Sequence, residues 1–364
     1  MKNQIQFFDK ITKGKHGKAI TPDIQVMVLG ARRVGKTSVL ASMVNQFNAV
    51  TKDTNMHLDK LKGVAVNNAL DTMKGYFKEG CRKYDIVKMD DNATPGFDEF
   101  YLQLGISGKK AKKPKTICFK DCSGEWINQM NNEEELGKTI EKSEVIMIAI
   151  DSVILMEKNG KYNEMNHMGN VTDFVINHVN KEPGKNKMIL FVPLKCEKYY
   201  HENMDQDSSY YKERMKQLNE RIKEEYADLL GYLTKPANRN YFTVVILPIL
   251  TLGGIEFDSF DENEINSQDE LSLKSIKYRY CEPMKFNPLY CEKPLIYTLL
   301  FEMKKIDSIC NKKGIPEHMI DWLKSNMKYV KDADYVDELQ KLEKLVEDDH
   351  YKDEFDFIQN PLGL

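Results

Sequence analysis

The segment IQVMVLGARRVGKTSVLASM, residues 24–43, constrains this chain more than any other stretch of its 364 residues. Gly30, Gly35, Lys36 and Thr37 satisfy the spacing GxxxxGK[ST], with an apolar β-branched run before it and a helical apolar pattern after it. A polyphosphate needs a concave ring of backbone N–H groups, so glycine stands where a Cβ would collide, and the helix that follows turns its positive end toward the same oxygens. Gly30, Ala31, Arg32, Arg33, Val34, Gly35, Lys36, Thr37 and Ser38 form the expected cradle. Lys36 is placed to reach the β and γ phosphates, and the Thr37 hydroxyl to ligate Mg²⁺. Such a loop selects a nucleoside triphosphate but neither its base nor its use.

The rest of the chain reads as an α/β fold. Short apolar runs at Ile24–Leu29, Val145–Ile150, Met188–Val192 and Tyr241–Leu252 alternate with helical patterns, and their unbroken apolar character suits parallel strands covered on both faces. Phe97–Ile106 and Lys115–Asp121 alternate more visibly and read as an antiparallel hairpin at the sheet edge, joined by a lysine-rich turn. Apolar positions at helical spacing over about 55–84 predict an inserted helical segment, and the polar stretch 257–275 predicts a surface insertion. The expected layout is an N-terminal extension over 1–22, a main domain over 23–313 and an acidic helical extension over 314–364.

The third strand ends in KTICFKDCSGEW, a DxxG arrangement of Asp121 and Gly124. A carboxylate at a strand tip beside the phosphate loop can hold magnesium, and a glycine N–H after it can sense the terminal phosphate. Here the sequence resembles the P-loop GTPases of the translation-factor and Ras-like class. The wording GARRVGKTS, DCSGEW and PLKCEKY is most similar to bacterial GTPases linked to defence and conflict systems. The resemblance implies a three-layer G domain with a mostly parallel sheet, GTP and Mg²⁺ as ligands, slow hydrolysis, and switch loops read by a protein effector or a second copy; the alternatives are an ATP-hydrolysing P-loop protein and a nucleotide-binding interaction module without turnover. It places Lys195 over the purine and Glu197 on the guanine edge, although Leu194 stands where the family has asparagine and Glu197 is a methylene longer than the family aspartate. Thr251 opens the expected base-covering loop, and Thr94 is the expected first-switch threonine closing on magnesium.

Two departures bear on catalysis. Glu125 stands where many relatives carry a water-orienting glutamine, placed either to act on the attacking water or to disfavour it by charge. Arg33 matches an arginine that guanylate-binding-type GTPases use as an internal arginine finger; the alternative is a solvent-facing loop residue. Composition narrows the remaining classes. With 53 Lys and Arg against 56 Asp and Glu, the net charge of −3 gives no global argument for nucleic acid or an anionic membrane. The seven scattered cysteines and the absence of a signal core or a span of about 20 apolar residues predict a reduced, cytoplasmic protein. The seven histidines form no metal-binding pair.

Overall fold

The computed structural model describes residues 22–52, 56–62, 64–77, 80–87, 89, 97–106, 115–129, 133–179, 186–200, 208–261, 275–310, 340–349 and 354–364. In chain order these form β1 (Ile24–Leu29), α1 (Lys36–Val50), β2 (Met56–Lys62), α2 (Val64–Gly75), β3 (Ile86–Val87), β4 (Phe97–Ile106) and β5 (Lys115–Cys122). The central part continues with α3 (Gly124–Gln129), α4 (Glu133–Lys142), β6 (Val145–Asp151), α5 (Ser152–Met156), α6 (Met168–His178) and β7 (Lys187–Leu194). The remainder comprises α7 (Ser208–Glu225), α8 (Ala227–Thr234), β8 (Phe242–Ile246), β9 (Ile255–Phe260), β10 (Ile276–Tyr280), α9 (Lys293–Cys310) and β11 (Asp356–Gln359).

Eight strands form one sheet in the order β11-β8-β7-β6-β1-β5-β4-β2. The five from β8 to β5 run parallel, while β4, β2 and β11 pair antiparallel at the two edges. The strict period of two explains the apolar runs. Val26, Val28, Val145, Met147, Met188 and Leu190 face one core with Val39, Met43 and Phe47 of α1 and Leu295 and Leu299 of α9. Met27, Leu29, Ile146, Ile148, Ile189 and Phe191 face the other, with Ile140 of α4, Phe174 of α6, Ile222 of α7 and Leu229 of α8. Three layers result, and the strand order reverses around β1, which opens a crevice at the carboxyl ends of β1, β5 and β6. No helix among the described residues is long and apolar enough to cross a membrane.

Three expectations need correction. The segment 55–84 is not helical throughout. Residues 56–62 form β2, which extends the antiparallel β4–β5 edge hairpin by one further antiparallel strand. Met56 and Leu58 are buried while His57 and Asp59 are exposed, an alternation that a helical reading of Leu58 and Leu61 overlooks. The stretch 257–275 begins within β9, which joins β10 and β3 in a second, three-stranded sheet; Phe257 and Phe260 pack with Tyr162 and Ile154 beneath it, and residues 262–274 lie outside the described residues. The chain end is not purely helical either. Residues 340–344 are helical, but β11 then adds to the β8 edge, while 311–339, including about half of the expected helical extension, lie outside the described residues, as do 1–21 and the lysine-rich turn at 107–114.

The C-terminal segment is anchored by a buried ion pair. Lys293 Nζ donates to both Asp349 oxygens (2.9 and 2.8 Å) and to the Leu345 carbonyl (2.7 Å), and Tyr297 donates to Asp349 Oδ2 at 3.0 Å. Removing one buried charge strands the other. Lys293→Met is therefore expected to lower stability by about 3–5 kcal/mol in denaturant unfolding, and Lys293→Met combined with Asp349→Leu to recover most of that loss.

Candidate functional site

The phosphate loop leaves β1 and enters α1 through three backbone positions with positive φ: Gly30 (144°), Arg33 (64°) and Gly35 (110°). At Gly30 a Cβ would sit 2.6 Å from the Ala149 carbonyl oxygen on β6, so only glycine lets the loop turn that close to the sheet. Gly35 caps α1 without a side-chain hydrogen bond, and the first turn of α1 holds no acidic residue. The positive helix end thus stays available to an anion. Lys36 is buried and folds back over the loop, donating to the carbonyls of Gly30 and Ala31 at 3.0 Å each. Val34 is buried beneath the loop and Ser38 is partly buried on the first turn of α1.

Asp121 is the penultimate residue of β5, paired with Val28 of β1 two residues before Gly30. Thr37 Oγ1 donates to its Oδ2 at 3.0 Å. Its other oxygen, Oδ1, is buried with no hydrogen-bond partner among the described residues. Burial raises the Asp121 pKa above its ordinary 3.8, with Lys36 and Thr37 acting against that rise. A hydroxyl, a carboxylate and an orphaned oxygen at the mouth of a phosphate loop fit a hard divalent cation, whose charge would offset the desolvation. Beyond Asp121, Gly124 packs so tightly on the loop that a Cβ would lie 2.0 Å from the Arg32 nitrogen. The next residue, Glu125, pairs with Arg32, Oε1 to Nη1 at 2.7 Å. Glu125, one of the two departures noted in the sequence, thus meets Arg32 of the phosphate loop.

The opposite end of the crevice is built on Lys195, in left-handed conformation (φ 61°) directly after β7. Its Nζ pairs with the Asp151 carboxylate at the tip of β6, approaches the Arg33 carbonyl at 3.5 Å and lies 5.8 Å from the Tyr278 ring centroid on β10. Burial alone would depress the ammonium pKa, but Asp151 and Tyr278 together outweigh it and hold the group above the ordinary lysine range. Asp151 is itself fixed, its Oδ1 capping α5 through the amides of Val153 and Ile154 at 3.0 and 3.3 Å. Glu197 is buried, and its Oε1 accepts the amides of Leu252 and Gly253 at 2.7 and 3.2 Å; burial pushes its carboxyl pKa up. Thr251 is buried beside it, its hydroxyl without a partner among the described residues.

The structure thus gathers Gly30–Ser38, Asp121, Gly124 and Glu125 at one end, and Lys195, Glu197 and Thr251 at the other. Thr94 lies outside the described residues. Asp151 and Tyr278 were not singled out from the sequence. Asp151 carries a legible signal, an acidic residue between an apolar strand and a helix start, whereas Tyr278 reaches Lys195 from a distant strand and has no local signal.

A family model described as Double-GTPase 2 matches residues 24–231, from β1 to α8. The chain belongs to the Double-GTPase 2 family. This is a P-loop GTPase family, and the match takes in the phosphate loop, Asp121, Gly124, Lys195 and Glu197. No curated protein matches the sequence. Among solved structures, the chain is similar to the S. cerevisiae Ski7 GTPase-like domain bound to GDP and inorganic phosphate, at 13% identity and a TM-score of 0.34 over 74% of this chain and 48% of that one. The same domain bound to GTP gives 14% and 0.33 over 67% and 45%. The chain spans about half the length of these solved structures.

Substitutions at two positions test the Double-GTPase 2 site. Because burial raises the Asp121 pKa, its ionised form opposes folding once the pH exceeds 3.8. In the absence of nucleotide and metal, Asp121→Asn is expected to melt higher than wild type near pH 7, with the gap closing as the pH falls toward about 4. Glu197→Ala deprives two buried amides of their acceptor and is expected to lose about 1–3 kcal/mol for each in denaturant unfolding, whereas Glu197→Gln retains most of the stability.

Proposed function

We propose that the chain binds GTP together with Mg²⁺ and hydrolyses it slowly, acting as a nucleotide-dependent switch. The observation that carries this reading is the Thr37–Asp121 pair with its unpartnered Oδ1, set against a loop and a helix end that carry no anion of their own. Thr37 and Asp121 are the residues to hold the metal, which when bound neutralises phosphate charge. Lys36 already spends two donors on loop carbonyls and keeps its third for phosphate. The α1 amides bind the phosphate oxygens, and Gly124, lying on the loop, is the backbone most directly displaced or engaged by a terminal phosphate. Thr94 is proposed as the first-switch threonine, and a protein effector or a second copy as the reader of the switch.

A second reading, an ATP-using P-loop protein, is favoured by one observation: the Glu197 oxygen expected on a guanine edge is already bonded to Leu252 and Gly253. Base selectivity decides between the two. Titrating purified protein with fluorescent GTP and ATP analogues, with and without Mg²⁺, is expected to give a guanine preference of about tenfold or more, or about 1.4 kcal/mol. Binding should weaken without Mg²⁺ and be lost in Lys36→Ala. Equal or tighter ATP binding would replace the GTP reading with the second.

A further inference from the structure

The phosphate loop carries two adjacent arginines, and the structure commits them to opposite ends of the crevice. Arg33 turns through the left-handed region, and its carbonyl faces Lys195, so its backbone belongs to the base end. Arg32 lies against the segment that follows Asp121. Its backbone nitrogen sits under Gly124, and its guanidinium meets Glu125 at 2.7 Å. This is the end of the loop where Thr37 and Asp121 meet, and hence where the terminal phosphate of a bound triphosphate lies. Resting on the nucleotide reading above, the geometry points to Arg32 as a catalytic residue acting in cis on the γ-phosphate, held ready by Glu125 as its positioning residue.

Three features support the assignment. The side chains of Arg32 and Glu125 are 44% and 50% exposed, so neither is needed to fill a core, and an exposed pair of this kind contributes little to stability and exchanges easily. A γ-phosphate offers more negative charge than one carboxylate and matches the planar guanidinium fork with two oxygens, so it competes well for Arg32. The close packing of Gly124 on the Arg32 backbone also fixes where the side chain starts, which reduces the entropy lost when it turns onto the phosphate. In the hydrolytic step, a water oxygen bonds to the γ-phosphorus as the bond from that phosphorus to the β–γ bridging oxygen breaks. The electron pair stays on the β-phosphate, and the proton lost by the water passes to phosphate or solvent, giving GDP and inorganic phosphate. Arg32 exchanges no atom and offsets charge that builds on the γ and bridging oxygens.

The test uses the full chain, with affinities for fluorescent GTP and GDP analogues measured first and single-turnover GTP hydrolysis second. Arg32→Ala is expected to slow the single-turnover rate by about 100-fold or more while leaving GDP affinity within about threefold. Arg32→Lys, which keeps charge but loses the fork, should recover only a small part of the rate. Glu125→Gln is expected to slow the same step by about tenfold, and Arg32→Ala with Glu125→Gln to be no slower than Arg32→Ala alone, because the carboxylate acts through the arginine. An Arg32→Ala rate within about threefold of wild type overturns the proposal. So does a double variant slower than Arg32→Ala by the whole Glu125→Gln factor, which would mean that Glu125 acts on the water independently. A wild type that binds GDP yet does not hydrolyse GTP overturns the catalytic role alone; a wild type that binds neither nucleotide overturns the GTP reading itself, and the binding measurements distinguish these two failures.

Discussion

The middle of the sheet has water on neither face. Strands β1, β6 and β7 place apolar side chains alternately into two cores, and every residue of β6 and β7 is buried. A strand in that position cannot carry polar chemistry along its length, because a buried polar group without a partner is expensive. The chemistry is therefore confined to the carboxyl tips, where the strand order reverses and the chain leaves the sheet. Lys36 and Thr37 follow β1, Asp121 lies one residue before the end of β5, Asp151 ends β6 and Lys195 follows β7. Four groups that are remote in sequence share one rim because the strands beneath them admit nothing else.

Along that rim, polar groups are held mainly by one another. Lys195 joins the tip of β6 to the phosphate loop through Asp151 and the Arg33 carbonyl, and Glu197 fixes the Thr251–Gly253 turn through two amides. Gly253 needs its positive φ of 74° there, and a Cβ on it would meet the Asn287 carbonyl oxygen at 1.8 Å. The end around Lys195 and Glu197 is thus tied by buried contacts, and the end around Gly124 by the exposed Arg32–Glu125 ion pair. Rigidity and exchangeability are separated across a single loop.

How much of this was legible in the sequence depends on how local each cause is. The phosphate loop was readable because its glycines, lysine and threonine act within one turn of chain. The parallel strands were readable because burial on both faces leaves an unbroken apolar run. Residues 56–62 were misread because MHLDKLK satisfies both periods over so short a window, and only pairing with β4 decides between them. The second sheet was missed for a similar reason. Its strands β3 and β10 are nearly 200 residues apart in the chain, and the stretch after Phe257 is polar enough to pass for a loop. The spacing indicated that Asp121 and Gly124 lie beside the loop, where their contacts with Thr37 and Arg32 put them, but the partners of Glu197 were not legible, since no pattern in PLKCEKY indicates that two amides more than 50 residues downstream will claim its carboxylate.

The far edge of the sheet has a kinetic consequence. Among the described residues, strand β8 receives its outer neighbour from β11, more than 100 residues further along the chain, with α9 and the Lys293–Asp349 anchor coming between. Closing so long a loop is entropically slow relative to the local βα units that assemble the rest of the sheet. During synthesis, β8 emerges with one row of amides and carbonyls facing outward, a template for any other extended segment, until β11 arrives to cover it.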